Sequence, residues 1–303
     1  MINDMNPLPR WRKNEKRIGF LLVMPALLIL GFVIIYPLGL NIFMSFQKIV
    51  LTKPQLGTPF IGIENYQKVL SDEIFWRSAG HTVLWVMCSV SIQIILGLGA
   101  ALLLNAPIKF RGVLRGIILI PWVTPGVVAA LNWRWMLDGQ MGIINKILVN
   151  AQIIEKPIAW LGQYSTAFPA VIVAHAWKNF PFSMLMLLAA LQTIPKYLYE
   201  AAEIDGANQI HKFLHITMPE IWPTLSLTVL LTSIWTFNNF DTIWLMTEGG
   251  PSHASEILTT MVYKTAFQAF NLGEASSLAV LMFIMLLGLV IVYGRLMVKR
   301  EVK

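Results

Sequence analysis

The sequence predicts an all-α polytopic membrane protein with six transmembrane helices. Hydrophobic residues fill 56% of the 303 positions and charged residues only 13%, against roughly 45–50% and 25% in soluble domains. Apolar runs of about twenty residues recur along the chain, long enough to cross a hydrocarbon core. Lysine and arginine gather on one side of those runs, as the positive-inside rule requires of a multi-pass protein.

The elements follow in order. Residues 1–17 form a basic head with Arg10, Arg12, Lys13, Lys16 and Arg17. The run from Ile18 to Phe43 is longer than a signal-peptide core and shows no small-residue cleavage site, so it is expected as an uncleaved first span. A polar segment, 47–77, turns at Gly57-Thr58-Pro59 and carries a short helix from Asn65 to Leu70. Span two covers about Ala79–Leu104; Ser89, Ser91, Gly97, Gly99, Ala100 and Ala101 suit close helix packing in lipid. Span three, about Val113–Leu137, contains Pro121 and Pro125, which remove helical hydrogen bonds and predict a kink or break. The 138–165 segment is polar, with a weakly amphipathic piece from Ile143 to Ile154. Span four, about Ala167–Leu191, is interrupted by Pro181. Span five is expected over Pro223–Leu245, an outer loop over 252–275, and span six over Ser276–Met297.

An even number of spans places both termini on one side. The faces sharing that side hold fourteen Lys and Arg residues and the opposite face eight, with Lys178 inside span four. Both termini are therefore expected in the cytoplasm. This face also accounts for the net charge of +7 without a nucleic-acid partner. Cys88, the single cysteine, lies in an apolar run, which excludes an intrachain disulfide and reads as a small buried residue. The five histidines are scattered, and no metal-ligand spacing appears.

Between spans four and five lies a polar segment, Glu200 to Pro219, reading EAAEIDGANQIHKFLHITMP. Thr193 and Pro195 suit a helix start, and Gly206 a stop with positive φ. Asn208 suits the cap of a second short helix, along which Ile210, Phe213, Leu214 and Thr217 share a face, and Pro219 is placed to open the next helix. The spacing predicts a helix-turn-helix elbow, small at Ala201 and Ala202, on the same side as the termini.

Glu200-Ala201-Ala202, Gly206 after three more residues, Ile216 after nine, then Met218-Pro219 resembles the EAA loop of bacterial ABC importer permeases, with Met where that family writes Leu. The resemblance implies a type I ABC importer permease fold in the inner membrane. It assigns Glu200, Ala201, Ala202, Asp205, Gly206, Ile216 and Pro219 to a coupling helix that docks on an ATPase subunit. The segment Phe237 to Pro251, with the later Tyr263 and Ala266-Phe267, resembles the subfamily importing sugars and polyols. The family core is expected at about 75–297 within a six-span domain, 18–298, with a cytoplasmic coupling loop at 193–222 and a cytoplasmic tail at 299–303. The implied partners are a second homologous permease, an ATPase dimer that binds ATP and Mg, and an extracytoplasmic solute-binding protein. That binding protein would contact the 47–77, 138–165 and 248–275 loops.

No G-x-x-x-x-G-K-[ST] loop, nucleophile elbow or zinc motif occurs, so no cofactor is expected in this chain and no catalysis is expected of it. Polar residues inside spans mark either a solute path or helix-to-helix hydrogen bonds. Asn238, Asn239 and Asp241 stand beside aromatic residues that would stack on a sugar, and Lys178 with Asn179 are the next candidates. Lys178 is read either as a partner for Asp241 or as an interfacial lysine that snorkels. The alternative function is an ion-driven secondary transporter, which needs an embedded carboxylate relay; only Asp241 comes near one, with Asp138 and Asp205 at or beyond span ends.

Overall fold

The structure, a computed structural model, describes residues 10–301, with side chains described for residues 17–295 and Met297. Residues 1–9 of the basic head and residues 302–303 of the tail lie outside the described residues, as do the side chains of Arg10, Arg12, Lys13, Lys16, Lys299 and Arg300. Every regular element among the described residues is helical.

The first span runs through α1 (Arg10–Leu30), a π-helical turn at Gly31–Ile35 and α2 (Tyr36–Ser45). Most of its apolar side chains are exposed and only Ser45 is buried, although α2 lies against the last helix, Leu272–Glu301. After α3 (Glu64–Leu70) comes α4 (Glu73–Asn105), which Asp72 caps by accepting the N–H of Ile74 at 2.9 Å. The bundle's spine is α4 packed lengthwise on α8 (Tyr164–Thr193). Gly97 permits that approach, since a Cβ there would lie 2.6 Å from Ser183 Cβ and 2.9 Å from the Met184 nitrogen. Ser89, Gly97 and Ala101 are buried as packing residues, whereas Ser91 and Gly99 face outward. Cys88, expected to be buried, is exposed, because Trp85, Val86 and Ser89 occupy the inward face of that turn.

Span three is broken outright. The helices α5 (Arg111–Val123) and α6 (Gly126–Met136) meet at 93°. Pro125 forces the preceding Thr124 to extended backbone, ψ 131°, and helix cannot continue through it. Pro181 behaves differently: α8 runs through it unbroken, correcting the expected interruption. Pro181 is buried and α8 is packed by α4, α5 and α11, which hold the chain straight where one hydrogen bond is lost. A short helix, α7 (Ile143–Asn150), follows α6.

Beyond α8 come α9 (Lys196–Ile204), α10 (Gln209–Lys212) and a π turn at Phe213–Thr217 that continues into α11 (Met218–Phe237). Pro219 stands in the first turn of α11, where it was expected, directly after a π turn that already alters the hydrogen-bond ladder. Span five is shorter than expected. It stops at Phe237, and Asp241 belongs to a separate short helix, α12 (Asp241–Thr247). In a continuing helix Thr236 O would accept the N–H of Phe240, but here it accepts Trp85 Nε1 at 2.9 Å and the N–H of Asn239 at 3.1 Å. The last stretch contains α13 (Leu258–Tyr263), a π turn at Lys264–Gln268 and α14 (Leu272–Glu301).

Among the described residues, four helical segments are long and apolar enough to cross a membrane, or five if the bent α5–α6 pair counts as one span. The helix α11 falls outside that set, with Thr224, Ser226, Thr228, Thr232, Ser233 and Thr236 along its twenty residues. Ser226, Thr228, Thr232 and Ser233 donate to carbonyls of their own helix, for example Thr232 Oγ1 to Thr228 O and Ser233 Oγ to Val229 O, both 2.7 Å.

At the end of α8 and α11 away from the elbow, two of the connecting segments join. Lys68 pairs with Glu274, and Val50 bridges Asn271. Glu256, buried, is paired with His253 and, at 3.3 Å, with Lys264. Asn145 fastens the third segment, donating to Ile158 O at 2.9 Å and accepting from Ile158 N at 3.1 Å and Trp160 Nε1 at 3.0 Å.

Candidate functional sites

The elbow is built from local caps. The first arm, α9, ends in a Schellman motif: Ala207 N donates to Ala202 O at 2.8 Å and Gly206 N to Glu203 O at 3.1 Å. Gly206 takes φ +76°, the left-handed conformation that motif needs. Asn208 Oδ1 then accepts the N–H of His211 at 2.8 Å and starts the second arm. Lys212 Nζ reaches back to Glu203 Oε1 at 2.6 Å, and Tyr199 OH meets Thr217 Oγ1 at 2.9 Å. The inner face is anchored, because Leu198, Tyr199, Ile216, Met218 and Trp222 pack against the apolar cluster around Leu191, Ile194 and Ile221.

The outer face is open. Glu200, Ala201, Asp205, Gly206 and Pro219 are exposed, whereas Ala202 and Ile216 are half-buried, with Ile216 turned toward the bundle. Three large apolar side chains stand out at the tip: Ile204 is 88% exposed, Ile210 70% and Tyr197 65%. A capped, cross-braced frame presenting apolar knobs beside carboxylates has the properties of a docking surface.

The second site is a polar layer inside the bundle. Along α4, α8 and α11 one apolar cluster lies toward the elbow, around Leu104, Leu187 and Ile221, and another toward the far end, around Trp85, Val171 and Phe237. Between them Gln93, His175, Asn179, Thr232, Thr236 and Asn239 line a cavity of about 80 Å³, walled also by Trp122, Phe182 and Trp235. His175 lies against Trp85, with ring centroids 4.7 Å apart, and 3.4 Å from the hydroxyls of Thr236 and Thr242. Asn179 Nδ2 donates to His175 O at 2.9 Å. Among the described residues, Gln93 Nε2 and Asn239 Oδ1 are buried with no hydrogen-bond partner. Such groups call for a ligand or water. The cavity holds roughly a few waters, so a larger solute requires the helices to part.

The expected path residues divide. Asn179 and Asn239 line the cavity. Asn238 is exposed and donates to Ile234 O on its own helix at 2.9 Å, and Asp241 is exposed at the start of α12. Lys178 lies at the rim, Nζ 3.5 Å from Trp122 O at the broken span, and no ion pair joins it to Asp241. The helix break after Phe237 carries Asp241 out of span five, which removes the basis for that pairing. Gln93, His175, Thr232 and Thr236 were not singled out from the sequence. Polar residues four apart in α8 and α11 were the available signal.

Asp241, Asp138 and Asp205 do not form an embedded relay. Asp205 is on the elbow and Asp241 is exposed. Asp138 Oδ1 accepts the N–H groups of Met141 and Gln140 at 2.8 and 2.9 Å, which hold its carboxyl below the usual range. Asp138 also lines a pocket of about 320 Å³ at the far end, with Arg134, Ala159 and Glu248 in its walls.

Residues 93–302 match the family described as binding-protein-dependent transport system inner membrane component. The chain is 39% identical over 293 residues to the trehalose/maltose transport system permease protein of Thermococcus litoralis, covering 96% of this chain and 97% of that one. It is 35% identical to the sulfoquinovosyl glycerol transport system permease protein of Agrobacterium fabrum, covering 97% and 96%. Among solved structures it resembles a chain of a bacterial ABC transporter involved in the import of the acidic polysaccharide alginate. That likeness has a TM-score of 0.80 at 23% identity and covers 97% of this chain and 100% of that one.

Proposed function

The chain belongs to the family of binding-protein-dependent transport system inner membrane components, and from that premise we propose that it carries a carbohydrate or related polyol inward by ATP-driven alternating access. It is a multi-pass inner-membrane permease with the type I ABC importer fold. The observation that carries the coupling role is the elbow: a rigidly capped turn with Tyr197, Ile204 and Ile210 exposed beside Glu200.

In this reading Glu200, Ala201, Asp205 and Gly206 face the ATPase, Ala202 lets it approach closely, and Ile216 fastens the elbow to the bundle. The four apolar spans, the broken α5–α6 pair and the hydroxyl-rich α11 supply six crossings, with the termini and elbow in the cytoplasm as the charge asymmetry requires. ATP and Mg are bound by the ATPase dimer, and this chain catalyses nothing. A second homologous permease faces the polar cavity. The solute-binding protein docks on the joined segments at the far end, where Asp138, Arg134 and Glu248 offer charge. Closure of the ATPase dimer moves the elbow, which swings α8 and α11 and opens the cavity to the loaded binding protein.

A carbohydrate is favoured by two lines of support. Both relatives described above are named for glycosidic solutes. The cavity offers amides, hydroxyls and an imidazole beside Trp122, Phe182 and Trp235, groups that pair with sugar hydroxyls while the rings stack on their C–H faces. The test is mild-detergent purification from native membranes followed by reconstituted uptake of labelled trehalose, maltose and polyols. A co-purifying ATPase pair, one second permease and ATP-dependent uptake are expected. A chain that purifies alone, with uptake abolished by an uncoupler, would overturn the reading.

A further inference from the structure

The fold brings two of the scattered histidines together. His211 and His215 lie one turn apart on the elbow's second arm, where α10 passes into its π turn. Their rings stack with centroids 4.0 Å apart and an interplanar angle of 19°, and both side chains are exposed. Lys212 is buried and paired with Glu203, so its charge is taken up away from the two imidazoles. His215 Nδ1 lies 3.1 Å from His211 O. A carbonyl only accepts, so Nδ1 carries the proton and Nε2 of His215 keeps a free lone pair. A hydrogen bond from one ring nitrogen to a backbone carbonyl is how metal-binding imidazoles are held in the ligating tautomer. Neither ring nitrogen of His211 has a hydrogen-bond partner among the described residues.

We infer that His211 and His215 form a two-imidazole site for a transition-metal dication of the zinc class, with water completing the coordination. Imidazole suits Zn²⁺, Ni²⁺ and Cu²⁺, whereas Mg²⁺ and Ca²⁺ take oxygen ligands. His215 is held by its carbonyl hydrogen bond, whereas the exposed His211 ring is free to turn about χ2 and would direct a ring nitrogen at an ion bound by His215 Nε2. No group of three or more His, Cys, Asp or Glu is placed to hold a metal among the described residues, so this is an open two-ligand site and not a closed structural centre. A metal tying these residues would pin the junction between α10 and the π turn and stiffen that arm of the elbow. The site rests on this geometry and is independent of what the elbow docks on.

The test is calorimetric titration of the purified full-length chain in detergent with zinc chloride alone, for the wild type, His211→Ala, His215→Ala and the remote His253→Ala. Outer-shell changes already cost about 10–100-fold in metal affinity, so loss of a direct ligand is expected to weaken zinc by roughly tenfold or more in either elbow variant. The remote variant should bind as the wild type does, and magnesium should give no binding heat. No zinc binding by the wild type, or binding by either elbow variant as tight as the wild type's, would overturn the inference.

Discussion

The elbow connects α8 to α11 and the polar cavity lies between those two helices and α4, yet they are built by opposite means. Each elbow turn is closed by a residue a few positions away: Ala207 to Ala202, Gly206 to Glu203, Asn208 to His211. The cavity takes Gln93, His175 and Asn239 from separate parts of the chain, and each side chain depends on where the other helices stand. Local hydrogen bonds make an element that survives as a rigid body when its surroundings move. Groups gathered across helices make a site that opens and closes as those helices shift, which is the division of labour an alternating-access transporter needs.

That contrast is open to four tests, taken from the largest expected effect. Gly97→Val should damage the cavity and spare the elbow, because the added atoms meet the Met184 backbone and cannot be turned away. Overpacking costs typically 1–3 kcal/mol, and the upper end, about 3, is expected in unfolding of the detergent-solubilised chain. An unchanged midpoint would mean that α4 and α8 do not depend on this close approach.

Glu200→Arg reverses charge on the elbow's exposed face. Uptake by the assembled transporter should fall roughly 30-fold, the equivalent of about 2 kcal/mol at a charged contact. Helical content and membrane insertion should stay as they are. Normal uptake would take the docking role away from Glu200.

Gly206→Ala places a Cβ in the left-handed region at φ +76°, at a cost of about 1–2 kcal/mol. The effect should be confined to the elbow: faster amide exchange at residues 205–208, with the bundle's unfolding unchanged. A matching loss in the bundle would show that the two regions are not separable.

The smallest effect divides neighbouring asparagines. Asn179→Leu and Asn239→Leu remove groups that line the cavity and should raise the KM for uptake roughly 5-fold, about 1 kcal/mol. Asn238→Leu, exposed and bonded to its own helix, should leave it unaltered. Equal effects from all three would place the solute path elsewhere.

The elbow was legible residue by residue, because Gly206, Asn208 and the spacing of apolar positions each act within one or two turns. The break at Thr124-Pro125 was legible for the same reason, since proline constrains its predecessor whatever surrounds it. Pro181 was misread because its outcome depends on the three helices that hold α8 straight. The end of span five was misread because Trp85, some 150 positions earlier, takes the carbonyl that a longer helix would use. His175 was invisible as a site residue for a similar reason: its neighbours Trp85, Thr236 and Thr242 come from other helices.

Composition and short-range pattern thus determined that this chain lives in a membrane, where most of its apolar helices run, and how the elbow turns. Those properties follow from hydropathy and from hydrogen bonds closed within a few residues. The tertiary structure alone decided which polar side chains meet, where α11 ends, and that Asp241 stands outside while Asn239 faces the cavity. In those cases the deciding hydrogen bond or van der Waals contact comes from a distant helix, and no local window of the sequence contains both partners.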